Sequence, residues 1–293
     1  MKYDSNTTEI KILGYPLKHT LSPTIQQAAI DYYNLPILFH AVSLKEDELE
    51  AQINALRNLS CHGANVTIPY KEAVIPLLDD LDITASKIGA VNTILNQNQR
   101  LIGFNTDAYG FITSFSQENL SNPENKSALI IGAGGAARAA AFALIEIGID
   151  LIVIANRNKK RAYNLINELN STKTKNTKIS YVKIQNDILD GNTPKHNLVI
   201  NATPYGMMYS SLESITPLKS SSIDSNAVVF DMVYLPSKTP LLKEAEKAGA
   251  QTISGSAMLV NQGAKSFELW TGKKAPKETM HSALNSVLYS KDK

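Results

Sequence analysis

The 293 residues predict an α/β fold of two domains: an N-terminal α/β unit, a doubly wound parallel sheet after it, and a cleft between them. The length exceeds one small core and suits two of ordinary size. Short apolar runs alternate with amphipathic stretches along the first third. From residue 128 an apolar strand runs straight into a glycine-rich turn and a long alanine-rich helix, the opening of a second winding.

Residues 10–13, 37–44 and 65–68 read as strands, with helices over 24–33 and 46–56 between them. A helical stretch over 70–78 leads to two more strands, 90–95 and 101–104, joined by the polar turn 96–99. This domain closes near Asp107. The second winding takes strand 128–131, the glycine turn, a helix, strand 151–155 and helix 159–169. Strands at 198–200 and 228–230 and a helix at 240–248 continue it, with 171–178 and 217–226 as polar loops. The tail from Gly255 reads as two helices that fold back onto the first domain. Residues 1–107 with 253–293 thus form one domain and 108–252 the other.

Apolar residues make up 43% and charged residues 19%, the balance of a globular chain rather than a disordered one. A net charge of +2 with scattered Lys and Arg gives no nucleic-acid face and no polybasic membrane patch. No apolar run approaches the roughly 20 residues that span a bilayer, and the first ten residues are polar, so neither a membrane partner nor a secretion signal is expected. The single cysteine, Cys61, cannot form an internal disulfide and suits a reducing, cytoplasmic compartment. The five histidines lack metal-ligand spacing, so no metal is expected, and Phe267 and Trp270 at helical spacing read as core.

A glycine-rich turn between a buried strand and a helix lets backbone amides approach a pyrophosphate, and the helix N-terminus adds partial positive charge. Gly132, Gly134, Gly135, Ala136 and Ala137 lie in such a turn, which makes the second unit a Rossmann-type dinucleotide-binding domain; a helix start with small packing residues is the plainer alternative. The fingerprint expects a carboxylate ~20 positions on, for the ribose hydroxyls of NAD. Asn156-Arg157-Asn158 stands there, followed by Lys159, Lys160 and Arg161. Those cations suit the 2′-phosphate of NADP, or else a solvated helix start.

Polar residues collect where strands of the first domain end: Thr20 and Ser22, Thr67 followed by Lys71, Asn92, and Asn105-Thr106-Asp107. Strand ends of open α/β sheets take small ligands. Thr20, Ser22, Thr67, Asn92 and Asp107 offer the hydroxyl, amide and carboxylate groups that a polyhydroxylated acid requires. Reducing a ketone needs a hydride and a proton, and the proton donor must sit at the carbonyl oxygen. Lys71 fits that role, with Asp107 orienting it. Taken singly, Lys71 is equally a surface lysine and Asp107 an N-cap for residues 108–115, so both stand here as candidates.

Together these motifs resemble the shikimate dehydrogenase family. Gly14-Tyr15-Pro16-Leu17-Lys18-His19-Thr20-Leu21-Ser22-Pro23, Asn65-Val66-Thr67-Ile68-Pro69-Tyr70-Lys71, Gly89-Ala90-Val91-Asn92-Thr93 and Gly103-Phe104-Asn105-Thr106-Asp107 resemble its substrate-domain motifs in order. Gly132 to Ala137, Asn156-Arg157, Asn201-Ala202-Thr203-Pro204, Asp231-Met232-Val233-Tyr234 and Gly255 to Gln262 resemble its cofactor-domain and closing motifs. The resemblance spans about residues 11–270, and such an ordered series is far more specific than any one motif.

The resemblance implies an NADP-dependent oxidoreductase of chorismate and aromatic amino-acid biosynthesis that reversibly reduces 3-dehydroshikimate to shikimate. It implies that Thr20, Ser22 and Tyr234 hold the substrate carboxylate, that Thr67, Asn92, Asp107 and Gln262 hold ring hydroxyls, and that Lys71 and Asp107 are the catalytic pair. Asn156 and Arg157 then serve the cofactor, Thr203 and Met207 lie beside it, and Gly255 and Met258 border the nicotinamide. A monomer or homodimer is expected. The chain departs from the family's usual serine at Thr20 and carries a bulkier loop at Pro204-Tyr205. Thr20 keeps a second reading open, a quinate/shikimate dehydrogenase of broader range. A catalytically silent NADP-binding sensor is the reading from another class, and retention of both Lys71 and Asp107 argues against it.

Overall fold

The structure, a computed structural model, describes residues 5–58, 61–116, 119–120, 126–173, 175–185, 189 and 194–291. The elements in chain order are β1 (Thr8–Gly14), α1 (Ser22–Tyr32), β2 (Ile37–Ser43), α2 (Leu49–Asn58), β3 (Cys61–Val66), β4 (Asp80–Leu81), α3 (Ile83–Ile88), β5 (Thr93–Gln97), β6 (Arg100–Phe104) and α4 (Asp107–Ile112). They continue as β7 (Ser127–Ile131), α5 (Gly135–Ile147), β8 (Leu151–Asn156), α6 (Lys159–Thr172), β9 (Lys178–Lys183), β10 (Leu198–Asn201), β11 (Val228–Asp231), α7 (Pro240–Lys247), β12 (Gln251–Ser254), α8 (Gly255–Thr271) and α9 (Lys277–Lys291). Two compact units result, Met1–Gly110 with Val260–Val287, and Phe111–Leu259 with Leu288–Lys293.

The first unit is built on a six-stranded sheet in the order β2-β1-β3-β5-β6-β4. Its β1, β2 and β3 run parallel, whereas β5 and β6 form an antiparallel hairpin beside β3. Leu13, Ile53, Leu56, Val91 and Leu101 pack one face of the sheet out of contact with water. Helix α1 turns Ile25, Ala29 and Ile30 inward, and beside them Gln26 donates its amide to the Gly263 carbonyl at 2.9 Å. Burying each of the two isoleucines gives ~1.5–3 kcal/mol relative to leaving it exposed, and Ala29 less.

In the second unit the order is β12-β11-β10-β7-β8-β9, every pairing parallel. Counted from β7, that is the 3-2-1-4-5-6 order of the doubly wound dinucleotide fold. The winding reverses between β7 and β10, and the carboxyl ends of those two strands flank the crevice where such sheets take ligands. Helix α5 forms because its run of alanines costs little side-chain entropy, and it stops at Gly148, which takes the left-handed conformation at φ 88°. Helix α6 is capped by the Asn158 side chain, which accepts from the Arg161 amide, and buries Ala162, Leu165, Ile166 and Leu169 at helical spacing.

Several expected elements differ. Residues 70–78 form a chain of turns and one 3-10 turn at Ile75–Leu77 instead of a helix. Pro76 has no amide for the ladder, and the Lys71 carbonyl is taken by the Val91 amide at 2.7 Å rather than by residue 75. Strand β3 lies at Cys61–Val66 and β5 at Thr93–Gln97, so Thr67 and Asn92 sit just outside strand ends. Helix α3, capped by Asp82 and closed by Gly89, and the strands β4, β9 and β12 are additions to the elements expected from the sequence. Among the described residues no helix is long and apolar enough to cross a membrane, and no group of three or more His, Cys, Asp or Glu is placed to hold a metal.

Candidate active site

In the first unit Lys71 and Asp107 meet. The Lys71 Nζ donates to Asp107 Oδ2 at 2.6 Å, with side chains only 14% and 6% exposed, so the pair is largely out of water. Helix α4 begins at Asp107, but its first amides are served by another residue: Asn105 Oδ1 accepts from the Asp107 and Ala108 amides at 3.0 and 3.3 Å. The Asp107 carboxylate is thereby left for Lys71 and for Asn92, whose Nδ2 donates to Oδ1 at 2.9 Å.

Asn92 is fixed by its surroundings. Its amide donates to the Phe104 carbonyl and its carbonyl accepts from Val66, so the backbone bridges β3 and β6 ahead of β5. Its side-chain oxygen accepts from the Thr106 amide at 2.7 Å, while Nδ2 also faces Thr106 Oγ1 at 2.8 Å and Gln262 Oε1 at 3.3 Å. Below lies a second polar layer in which Ser266 of α8 meets Thr93 Oγ1 at 2.7 Å and Thr106 Oγ1 at 3.1 Å. Networks this fully paired hold side chains in one arrangement.

Thr67 stands at the end of β3, its methyl against Gly14, where an added Cβ would come within 2.5 Å of it. Thr20 and Ser22 open α1: the Ser22 amide donates to Thr20 Oγ1 at 3.4 Å, and no side chain caps the helix. An uncapped helix start with two hydroxyls favours an anion.

In the second unit the glycine turn lies at the reversal of the sheet. Gly132 adopts φ +117°, and a Cβ there would meet the Ala202 carbonyl oxygen at 2.9 Å, so only glycine fits between β7 and the loop leaving β10. Gly134 is an extended N-cap for α5, which has neither a side-chain cap nor an acidic residue in its first turn. The backbone amides at Gly135 and Ala136 are therefore not taken up by a capping side chain or a first-turn carboxylate.

At the end of β8, Asn156 Nδ2 donates to the Asn158 carbonyl, and the exposed Arg157 guanidinium lies 5.9 Å over the Tyr205 ring. Arg161 reaches further: its Nε donates to the Ala133 carbonyl at 3.0 Å, which sets the guanidinium against the glycine turn. Thr203 is held by Asn201 Oδ1, which accepts from its amide at 3.1 Å and its hydroxyl at 2.6 Å. Met207 is 42% exposed, whereas Met258 is buried in α8. Gly255 starts α8 so close to the preceding strand that a Cβ would lie 2.3 Å from the Met232 carbonyl oxygen.

Residues 12–94 match the shikimate dehydrogenase substrate binding domain, 114–231 match the shikimate/quinate 5-dehydrogenase family, and 255–284 match the shikimate 5′-dehydrogenase C-terminal domain. The shikimate dehydrogenase (NADP(+)) of Prochlorococcus marinus strain MIT 9515 is 39% identical over 289 residues, 97% of this chain and 99% of the relative. The chain belongs to the shikimate dehydrogenase family. Its fold is shared by crystal structures of this family. A shikimate dehydrogenase in complex with NADP+ superposes with a TM-score of 0.87 at 35% identity, over 98% of this chain and 97% of the other. Shikimate 5-dehydrogenase from Thermus thermophilus, in complex with NADP(H) and shikimate, gives 0.82 at 33% identity, over 96% of this chain and all of the other.

Within this shikimate dehydrogenase family member, Lys71, Asp107, Asn92 and Gln262 lie in one cluster, while Thr20 and Ser22 form a separate pair at the start of α1. Asn105, Ser266 and Thr93 carry the support beneath that cluster, a role the sequence reading does not assign them. Asn105 and Thr93 lie inside those motifs, but nothing local in the sequence marks Ser266, whose side-chain partners Thr106, Thr93 and Asn65 are 160, 173 and 201 residues away. Arg161 stands in the sequence only as one of several cations, and nothing in its spacing singles it out.

Proposed function

We propose that this chain catalyses the reversible NADP-dependent reduction of 3-dehydroshikimate to shikimate, in aromatic amino-acid biosynthesis, with Lys71 and Asp107 as its catalytic pair. The observation that carries the assignment of the pair is the 2.6 Å contact between two largely buried side chains, with Asn92 and Gln262 adjoining. Family membership carries the reaction.

The residues present fit NADP. Gly132 and Gly134 leave room for a pyrophosphate at the start of α5, and Arg157 and Arg161 offer guanidinium groups to a 2′-phosphate near the end of β8. The nicotinamide supplies the hydride in reduction and takes it up in oxidation. Lys71 gives its proton to the carbonyl oxygen as negative charge develops there, and takes a proton from the alcohol in the reverse direction. Asp107 holds the ammonium in line and accepts a hydrogen bond from the neighbouring ring hydroxyl. Asn92 keeps the carboxylate from rotating, and Gln262 accepts from or donates to a further hydroxyl. Thr20 and Ser22 take the substrate carboxylate, joined by Thr67 on a hydroxyl and Tyr234 on the carboxylate. Being 14% exposed, Lys71 recovers its proton from solvent between turnovers.

Turnover of shikimate and of quinate, each with NADP and with NAD, tests the reading through the absorbance of the reduced cofactor. Shikimate with NADP is the expected best pair by kcat/KM. Quinate turnover equal to or above it supports the second reading, which Thr20 keeps open because its methyl alters the space beside the carboxylate.

A further inference from the structure

The carboxylate of Asp231 at the end of β11 lies wholly out of water with no cation beside it among the described residues, an expensive arrangement unless every lone pair is used. It joins three segments. Asp231 Oδ1 accepts from Asn201 Nδ2 at 2.9 Å and from the Val233 amide at 3.0 Å, and Oδ2 accepts from the Thr239 hydroxyl at 2.6 Å. Asn201 is equally buried and stands at the start of the loop leaving β10: its Nδ2 also donates to the Tyr205 carbonyl at 3.1 Å, and its Oδ1 holds Thr203. Thr239 caps α7 through the Leu242 amide at 3.3 Å.

We propose that Asp231 is a positioning residue for cofactor binding, whose buried carboxylate clasps Asn201 and so fixes the loop from Thr203 to Met207 in the form that receives the dinucleotide. The same carboxylate holds the Val233 amide and thereby the backbone leading to Tyr234. An aspartate is better suited here than an apolar residue because three donors converge on two oxygens, and removing the acceptor orphans all three in a dry site. Burial raises its pKa, and the hydrogen bonds from Thr239, Val233 and Asn201 only partly counter that. The inference rests on the reading that Thr203 and Met207 lie beside the cofactor.

The test compares Asp231→Asn, Asp231→Ala, Asn201→Ala and Thr239→Val with the wild-type enzyme. The affinity for NADP+ is measured by calorimetry, KM and kcat by turnover, and Tm by thermal melting. The amide introduced by Asp231→Asn keeps an oxygen for Asn201 and Val233 and turns its nitrogen to the Thr239 hydroxyl, so this variant holds the NADP+ affinity within about threefold. Asp231→Ala and Asn201→Ala each weaken it by about tenfold or more with kcat changed far less. The two effects are not additive when combined, since both remove one link. Thr239→Val removes a helix cap and one of the three donors to Asp231, so it lowers Tm and weakens NADP+ less than Asp231→Ala does. If Asp231→Ala fails to fold, Asn201→Ala decides alone: wild-type NADP+ affinity in that variant overturns the proposal, as does an Asp231→Ala enzyme that loses only Tm. A wild-type enzyme that fails to bind NADP+ would instead sink the functional reading itself.

Discussion

Replacing Lys71 by alanine separates two costs that the structure predicts to be independent. The first is chemical. Losing a positioned proton donor lowers kcat by about 10²- to 10⁴-fold, which is ~2.7–5.4 kcal/mol of transition-state stabilisation. The second concerns the fold. With Asp107 only 6% exposed, removing its ammonium partner strands a buried carboxylate, a loss on the order of 3–5 kcal/mol for a buried pair. Asn92 still donates to Oδ1 at 2.9 Å, so the lower end of that range is expected. Adding Asp107→Asn to Lys71→Ala removes the stranded charge, and the double variant should regain much of the lost Tm while recovering no activity. Single-turnover and steady-state assays of shikimate oxidation, run beside thermal melts, resolve both axes. A Lys71→Ala enzyme within tenfold of wild-type kcat, or a double variant that regains activity with its stability, would refute the assigned role.

Arg157→Ala should weaken NADP by about 1.5–3 kcal/mol and leave NAD kinetics nearly unchanged, since a charge-assisted bond to the 2′-phosphate is what is lost; equal losses for both cofactors would place Arg157 elsewhere on the nucleotide. Thr20→Ser should alter shikimate kcat/KM by less than about tenfold, or ~1.4 kcal/mol, whereas Thr20→Ala raises KM by removing the hydroxyl; an alanine variant with unchanged KM argues against carboxylate contact. For Asp231, burial raises the pKa from 3.8 to about 7 in the fold, so the native state holds an extra proton between those values. Its contribution to stability is full below pH ~4 and declines as pH rises toward 7, by at most about 1.4 kcal/mol per pH unit. Melting curves of wild type and Asp231→Asn should converge toward the acid end of that window and separate toward neutral pH in favour of the variant, and parallel curves would contradict the titration.

Much of the architecture was legible because it is written locally. The run 128–137 gives strand, turn and helix within ten residues, and the observed order of the second sheet follows from the winding it starts. Residues 70–78 misled because apolar spacing mimics a helix there, while Pro76 and a carbonyl committed to Val91 impose turns. Strand β9 was missed because the polar loop read over 171–178 runs into its first residue, and β12 because of a polar start at Gln251. For the site, residue types at strand ends gave Lys71 and Asp107 only as candidates. The competing capping role of Asp107 is resolved by Asn105, two positions earlier, which takes the helix amides. Ser266 lay beyond reach because its meaning depends on the packing of α8 against a hairpin far away in sequence.

The amide of Asn92 has two hydrogens to give and faces three oxygens, those of Thr106, Asp107 and Gln262, the last being farthest at 3.3 Å. At any instant one of the three is not served by Asn92. The amide thus divides two hydrogens among a hydroxyl, a carboxylate and a second amide. Asn92→Asp puts an acceptor where both hydrogens were and sets a second carboxylate against Asp107, so it should lower both Tm and kcat/KM.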